Sequence, residues 1–565
     1  MLSIRKIGVI GRTYRNLNRY RQILGVLIKY GFGDLIETLK IEQYIEIGLQ
    51  MISKKRRERV EKSSRAERVR MAFEELGPTY IKLGQILSTR PDLVQIDFVR
   101  ELSKLQDEVP PFPFEDARRI VESELGSPLE NIFATFEETP LASASIGQVH
   151  RARYLDGEDV AVKVQRPGIR RLIDIDLEIM LHLATLAENH IEELSFHQPV
   201  TIVEEFAKTL ERELDYTIEA TNTERVSREF LQDTTVYIPK VYRETTTSRV
   251  LTTELVQGIK VSKLDLLDQE GYDRKMITYR GAHVCLSQIF DQGFFHADPH
   301  PGNIFVLPGN VICLLDFGMV GSIDRNTREN FVELVDSIVR RDETRAANCL
   351  LRITSWDEEP NMRAFEKDVA EFIGQHLYKP LKEIELGKLL QHLLELAARH
   401  HLRIYPDIFL MMKALSTVEG VACRLDPDFD MLLHAEPFIK KIKLQRFSPE
   451  RLESDVLSLT SQIFTFLKDF PKDLLEITRL IRHRKLSFSH ELQGLDQMLS
   501  THDQISNRIS FSIIIAALII GSALIVISKT PPLFYGISLI GIIGFLAAVI
   551  MGIWLLVAIL KKGRL

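Results

Sequence analysis

Cysteine is scarce. The 565-residue chain has four, Cys285, Cys313, Cys349 and Cys423, and none forms a C-x-x-C pair. That spacing argues against a disulfide framework and a cysteine zinc site, and it suits a reducing compartment. No signal-type apolar stretch opens the chain. Acidic residues are missing before Asp34, whereas Arg5, Lys6, Arg12, Arg15, Arg19, Arg21 and Lys29 are all present there. This segment shares its charge pattern with transit peptides but is poor in Ser. A second basic run holds Lys54, Lys55, Arg56, Arg57 and Arg59. Both runs suit an anionic membrane surface, and a solvated helix face is the plainer reading. Repeats and low-complexity tracts are also missing. The net charge of -6 argues against a general nucleic-acid binder.

What is there is a globular balance, with 45% apolar and 27% charged residues. The length exceeds one core and suits two or three domains. Ile509–Ile527 and Leu533–Leu560 lack charged residues. Each is long enough to cross a hydrocarbon core of ~30 Å as a helix. Lys529, Pro531 and Pro532 lie between them, as expected of a tight hairpin. Arg508 precedes the pair and Lys561, Lys562 and Arg564 follow it, which places both flanks in the cytoplasm by the positive-inside rule. Gly544, Ala548 and Gly552 share one helix face, suited to helix packing or to a homodimer.

Apolar spacing predicts helices around Ile23–Met51 and Val69–Leu87, then a break at Val109-Pro110-Pro111-Phe112-Pro113. Strands are expected at Ile146–Tyr154 and Val160–Val164 around an Asp156-Gly157 turn, and at Val250–Leu255. Long helical patterns cover 169–193 and 200–230, and the chain is mostly helical from Lys275 to about 440.

Two short segments carry the chemistry. His296-Ala297-Asp298-Pro299-His300-Pro301-Gly302-Asn303 reads as H-x-D-x-x-x-x-N, and Asp316-Phe317-Gly318 follows. Phosphoryl transfer needs a carboxylate beside the acceptor oxygen and hard oxygen ligands for Mg²⁺. Asp298 fits the first role, and Asn303 with Asp316 fits the second. Upstream, Val160-Ala161-Val162-Lys163 matches V-A-I-K, whose Lys holds ATP phosphates. Glu213 and Glu219 are expected on one helix with different faces, Glu219 being the partner of Lys163. Thr252–Gly258 reads as a strand running into a hinge, where the backbone around Glu254 and Val256 would hold adenine.

Two familiar features are missing around these motifs. Where a G-x-G-x-x-G loop is expected, Ala142-Ser143-Ala144-Ser145-Ile146-Gly147 stands, followed by Val149. A Cβ limits how closely that backbone can approach phosphates. No A-P-E follows Asp316, leaving little room for an activation loop.

With these residues in hand, the sequence resembles the UbiB (AarF, or ADCK) family of atypical kinases over about residues 70–345. Lys82-Leu83-Gly84-Gln85 is similar to its K-x-G-Q signature, Pro140–His150 to its Ala-rich loop, and Glu213-x-Asp215 to its E-x-D motif. Ser143 interrupts the usual Ala run. The resemblance implies an α+β, bilobal protein-kinase-like fold. A helical extension (1–110) would carry K-x-G-Q, ahead of an N-lobe with inserted helices (111–258) and a C-lobe (259–440). A helical linker (441–505) and two transmembrane helices (506–565) would follow. It further implies that Lys82 and Gln85 face Glu213 and Asp215 over the active site. Those four residues, with Ala144, would regulate it. ATP and Mg²⁺ are the implied cofactors. The implied role is support of isoprenoid quinone (ubiquinone) biosynthesis at the inner (cytoplasmic) membrane, beside prenylated precursors and membrane-associated biosynthetic enzymes. A small-molecule kinase of the aminoglycoside or choline type and an ATP-binding pseudokinase scaffold are the competing expectations.

Overall fold

The computed structural model describes residues 17–38, 63–88, 90, 93–105, 110–191, 199–356, 360–377, 386–446, 460, 468, 470, 495–534 and 537–562. Arg5, Lys6, Arg12, Arg15, the Lys54–Arg59 run, Val109 and most of the expected 441–505 linker lie outside them. The chain divides into two compact units, Met1–Leu452 and Glu453–Leu565.

The strands that frame the first unit are β1 (Phe133–Phe136), β2 (Ala142–Ser143), β3 (Gly147–Tyr154), β4 (Asp159–Gln165), β5 (Val236–Tyr237), β6 (Val250–Glu254), β7 (Ile259–Lys260), β8 (Phe294–His296), β9 (Ile304–Leu307), β10 (Val311–Leu314) and β11 (Val320–Ser322). A five-stranded antiparallel sheet has the order β1-β3-β4-β6, with β2 paired to β3. Along β4, Val160, Val162 and Val164 are fully buried against Ala117, Ile120 and Val121 of the Phe114–Leu125 helix. Each buried Val contributes roughly 1.5–3 kcal/mol. Because strand side chains alternate, that same burial turns Lys163 to the opposite face.

The second lobe carries a four-stranded sheet, β5-β10-β9-β7, and a large helical core around Phe295, Phe331, Phe365, Met411 and Leu415. The β9–β10 hairpin sets Ile304 opposite Leu314, so Asn303 lies beside Leu315, whose N–H donates to the Asn303 carbonyl. This brings the two motifs together across the hairpin. After Gly318 the chain turns back at once. Ala297 N–H donates to Met319 O, β11 pairs with β8, and Asp324 caps the Arg325–Val339 helix.

Three expected helices are broken, the first at Gly31 (φ +82°), which separates Leu17–Lys29 from Gly33–Thr38 within the pattern expected at Ile23–Met51. The 69–87 pattern becomes Arg65–Leu76 and Pro78–Leu87, because Gly77 adopts φ +95° and Pro78 opens the next helix. The 200–230 pattern becomes Pro199–Glu213 and Tyr216–Glu229. There the Asp215 carboxylate accepts from both Thr217 N–H and Thr217 Oγ1–H, starting a new helix. Glu213 and Glu219 therefore sit on different helices, and a rotation counted along one helix does not apply to them.

The helical extension packs Tyr20 and Ile23 against Ile173, Ile179 and Leu210. Its cations are partly committed to the protein. Arg19 holds Asp176 with both Nε and Nη2 and also donates to Leu76 O, while Lys29 pairs with Glu75. These two residues do not belong to an uncommitted basic surface. Cys285, Cys313 and Cys349 are buried, Cys423 is exposed, and no disulfide joins the described residues.

In the second unit, helices Leu495–Ile527 and Leu539–Lys562 pack together, with a short Leu533–Phe534/Ile537–Ser538 pairing between them. The second helix starts at Leu539, not Leu533. Among the described residues one helix, Arg508–Ile527, is long and apolar enough to cross a membrane, and Leu539–Leu555 is a shorter apolar helix. A Cβ at Gly541 would meet Val526, and one at Gly544 would meet Ser522. Ala548 is buried, whereas Gly552 has open space around it. Much of the small-residue face is therefore used within this hairpin.

Candidate functional site

A half-buried lysine needs a counter-charge, because an unpaired charge withdrawn from water is costly. Lys163, from β4, finds one in Glu219 of the Tyr216–Glu229 helix, with Nζ donating to Oε1 at 3.0 Å and to Oε2 at 2.9 Å. Asp316 Oδ1 lies 3.9 Å from the same Nζ. Burial alone would lower the Lys163 pKa, but the neighbouring Asp316 and Glu219 charges hold it well above its ordinary value. Burial pushes Glu219 upward, whereas the Lys163 charge holds Asp316 below the usual carboxylate range.

Asp316 occupies the left-handed region at φ +59°, where Asp is tolerated far better than most side chains. Its Oδ1 accepts from Gly318 N–H at 3.2 Å, and Asn222 Nδ2 donates to Phe317 O. Phe317 is buried against the His296 ring. His296 links the two motifs: Asp298 N–H donates to its Nδ1, and its Nε2 bonds Leu315 O. The first bond requires a bare Nδ1, which sets the neutral tautomer with the proton on Nε2, and burial favours that neutral form. In the sequence, His296 stands out only as a letter of the H-x-D motif. Its leading position in H-x-D was the available signal.

The loop before Lys163 is also placed. Ala142 and Ser143 pair with Val149 and Gln148, Val149 stands opposite Lys163, and Ala144 N–H donates to Gly147 O. Ser145 is buried, and Ile146 O accepts from Arg166 N–H. The Arg166 guanidinium donates to Ala144 O and Pro110 O, an anchor that no motif announced. Gly147 is required by close approach, since a Cβ would lie 2.4 Å from the Tyr216 hydroxyl and 2.6 Å from Val164 O. The Tyr216 ring lies under Lys163, and its buried hydroxyl has no hydrogen-bond partner among the described residues.

At the expected hinge, Glu254 N–H donates to Lys240 O and Leu255 N–H to Asp159 O. The Glu254 carboxylate is held by Tyr237 Oη–H, and Val256 follows the strand in an irregular segment. Any adenine contact there would come from backbone, not from the Glu254 side chain.

The K-x-G-Q helix, Pro78–Leu87, brings Lys82 Nζ to 3.1 Å from Glu213 Oε2. The Lys82 charge also makes a small contribution to holding Asp316 below the usual carboxylate range. Gln85 does not meet Asp215: its amide donates to Leu105 O, and Asp215 serves as the helix cap. Gly84 lets this helix settle, since a Cβ there would lie 2.2 Å from Leu105 Cδ1. We expect a double-mutant cycle of Lys82→Ala and Glu213→Ala to show coupling of at least ~0.5 kcal/mol. Additive effects would instead show Lys82 to be a solvated residue.

Asp298 makes an ion pair with Lys413, Oδ1 to Nζ 3.2 Å, from the Pro406–Leu425 helix. No sequence motif marked Lys413. Asp316 and Asn303 carry oxygen donors of the kind that Mg²⁺ takes. Among the described residues no cluster of three or more His, Cys, Asp or Glu side chains is placed to hold a metal.

The two lobes, the lysine–carboxylate cluster and the hairpin joining H-x-D to D-F-G define a kinase-like protein. Residues 104–350 match the ABC1 atypical kinase-like domain, 369–430 the UbiB helical domain and 493–561 the ABC1/UbiB kinase-like C-terminal domain. A Pseudomonas fluorescens protein named "Probable protein kinase UbiB" is 35% identical, over 81% of this chain and 87% of its own. An "Uncharacterized protein in hydrogenase 1 5'region" of Clostridium pasteurianum is 31% identical, over 97% of this chain and 99% of its own. A solved structure, Rv3197 with erythromycin from Mycobacterium tuberculosis, aligns at TM-score 0.46 and 23% identity, covering 63% of this chain and 90% of that one. The chain belongs to the ABC1/UbiB family of atypical kinase-like proteins.

Proposed function

We propose that this protein binds Mg-ATP and turns it over at a membrane, in support of isoprenoid quinone biosynthesis as the UbiB resemblance implies. The observation that carries the ATP reading is the Lys163–Glu219–Asp316 cluster beside Asn303 and Asp298. Lys163 orients the α- and β-phosphates. Asp316 and Asn303 would hold Mg²⁺, which would supply charge neutralisation at the phosphates. Asp298 takes the proton of the acceptor hydroxyl or water as its oxygen bonds to the γ-phosphorus. The bond from that phosphorus to the bridging oxygen breaks, leaving its electron pair on ADP.

The Lys82–Glu213 pair and the immediate return of the chain after Gly318 support a small acceptor over a peptide. The fixed loop around Ala144 supports a restrained phosphate grip, since Arg166 already holds its carbonyl. Membrane placement is supported by apolar residues that face outward on both helices of the second unit, including Ile513, Ile520, Leu546 and Trp554. Two spans with cytoplasmic flanks would keep the protein at the bilayer into which a prenylated precursor partitions.

The test is Mg-ATP turnover by the full-length protein in liposomes, with and without a prenylated phenol. ADP release that rises with the phenol is expected. Mg-ATP binding without ADP release under either condition would leave a scaffold and overturn the enzymatic reading.

A further inference from the structure

From Phe294 to Asp324 the chain has no Lys or Arg, although Asp298, the candidate base, and Asp316, the candidate metal ligand, both lie within that stretch. Phosphoryl transfer spreads negative charge over the transferring group, and kinases and GTPases meet it with Lys, Arg or metal clamps. Lys163 is committed to Glu219 on two bonds and has Asp316 as its next neighbour. The β9–β10 hairpin that carries the acids therefore brings no side-chain cation of its own to the acceptor end.

Lys413 stands at that end. Its Nζ lies 3.2 Å from Asp298 Oδ1. Its helix is rigidly set, with Phe409, Met411, Met412, Ala414 and Leu415 all buried. The Lys413 side chain is about one-third exposed, so its head is open to an arriving ligand while its stem is fixed. The residue lies in the stretch that matches the UbiB helical domain, outside the kinase-like match.

We propose that Lys413 is a catalytic residue that binds the γ-phosphate, delivered in cis from the helical domain. Before nucleotide arrives it neutralises Asp298. With nucleotide bound it bridges Asp298 and the γ-phosphoryl oxygens, and it holds them through the transfer. The helical domain is then part of the catalytic machinery as well as a packing module. This inference rests on the proposed use of ATP and names a further residue for it.

The experiment compares wild type, Lys413→Ala, Lys413→Arg, Asp316→Asn and, as a remote ion-pair control, Lys441→Ala, all in the full-length chain. Lys441 pairs with Asp291. The readouts are ATP affinity, ADP affinity, kcat and melting temperature. For Lys413→Ala we expect ADP affinity and melting temperature to hold, ATP affinity to fall several-fold, and kcat to fall roughly 100-fold, the scale seen when one transition-state donor is removed. Lys413→Arg should recover much of the loss, and Lys441→Ala should resemble wild type. Equal losses for ATP and ADP, or unchanged ATP preference and kcat, would show Lys413 to be only a solvated partner of Asp298. If wild type binds Mg-ATP, Asp316→Asn abolishes that binding and Lys413→Ala changes nothing, the Lys413 inference alone fails. If wild type binds no Mg-ATP, the functional reading fails with it.

Discussion

Glu219→Ala destabilises the kinase-like unit by about 3 kcal/mol, the lower end of the range for breaking a buried ion pair. The cost comes from Lys163, which loses the acceptor of both its bonds yet stays in a largely buried position. Asp316 at 3.9 Å compensates only in part. Glu219→Gln keeps one oxygen acceptor and costs less, and a paired Glu219→Ala, Lys163→Met change recovers much of the loss. The urea midpoint, followed through Trp356, checks this, provided that the slope is unchanged. Equal stability of Glu219→Ala and wild type would mean that the pair is solvated and contributes little.

Asp316→Asn has the opposite profile, with the fold kept and the ligand response lost. Asn tolerates the φ of +59° as readily as Asp, so the backbone turn survives. Glu219 still answers the Lys163 charge. What disappears is the anionic oxygen that a hard cation requires. A ligand present at 100 times its Kd stabilises its target by about 2.7 kcal/mol, and that contribution should vanish in the variant. Thermal shift with and without Mg-ATP reads it directly. A mutant that shifts as far as wild type would remove Asp316 from the metal site.

Much of the site can be read from the chain because it lies in short, local motifs. Asp298, Asn303, Asp316 and Lys163 each sit in a short segment whose residue types match a kinase motif. The β9–β10 hairpin that joins two of those segments is short and apolar, so their proximity is local as well. Helix boundaries are less legible. Apolar spacing runs unbroken through 200–230, and only the capping bonds of Asp215 reveal that a new helix begins there. The 69–87 pattern hides its break in the same way, although Gly77-Pro78 is a readable punctuation.

The chain's sequence alone determined the motif residues, the apolar segments and the alternation that buries Val160, Val162 and Val164 while turning Lys163 away from them. These follow from chemistry and from periods of two or four residues. The tertiary structure alone decided which distant partners complete the cluster. Arg166 anchors the Ala144 loop, Tyr216 lies beneath Lys163, Lys82 meets Glu213, and Lys413 reaches Asp298 from more than a hundred residues away. Side-chain charge and hydrogen-bonding capacity say that each needs a partner. They do not say which one, because that choice is made by how the helices and sheets pack.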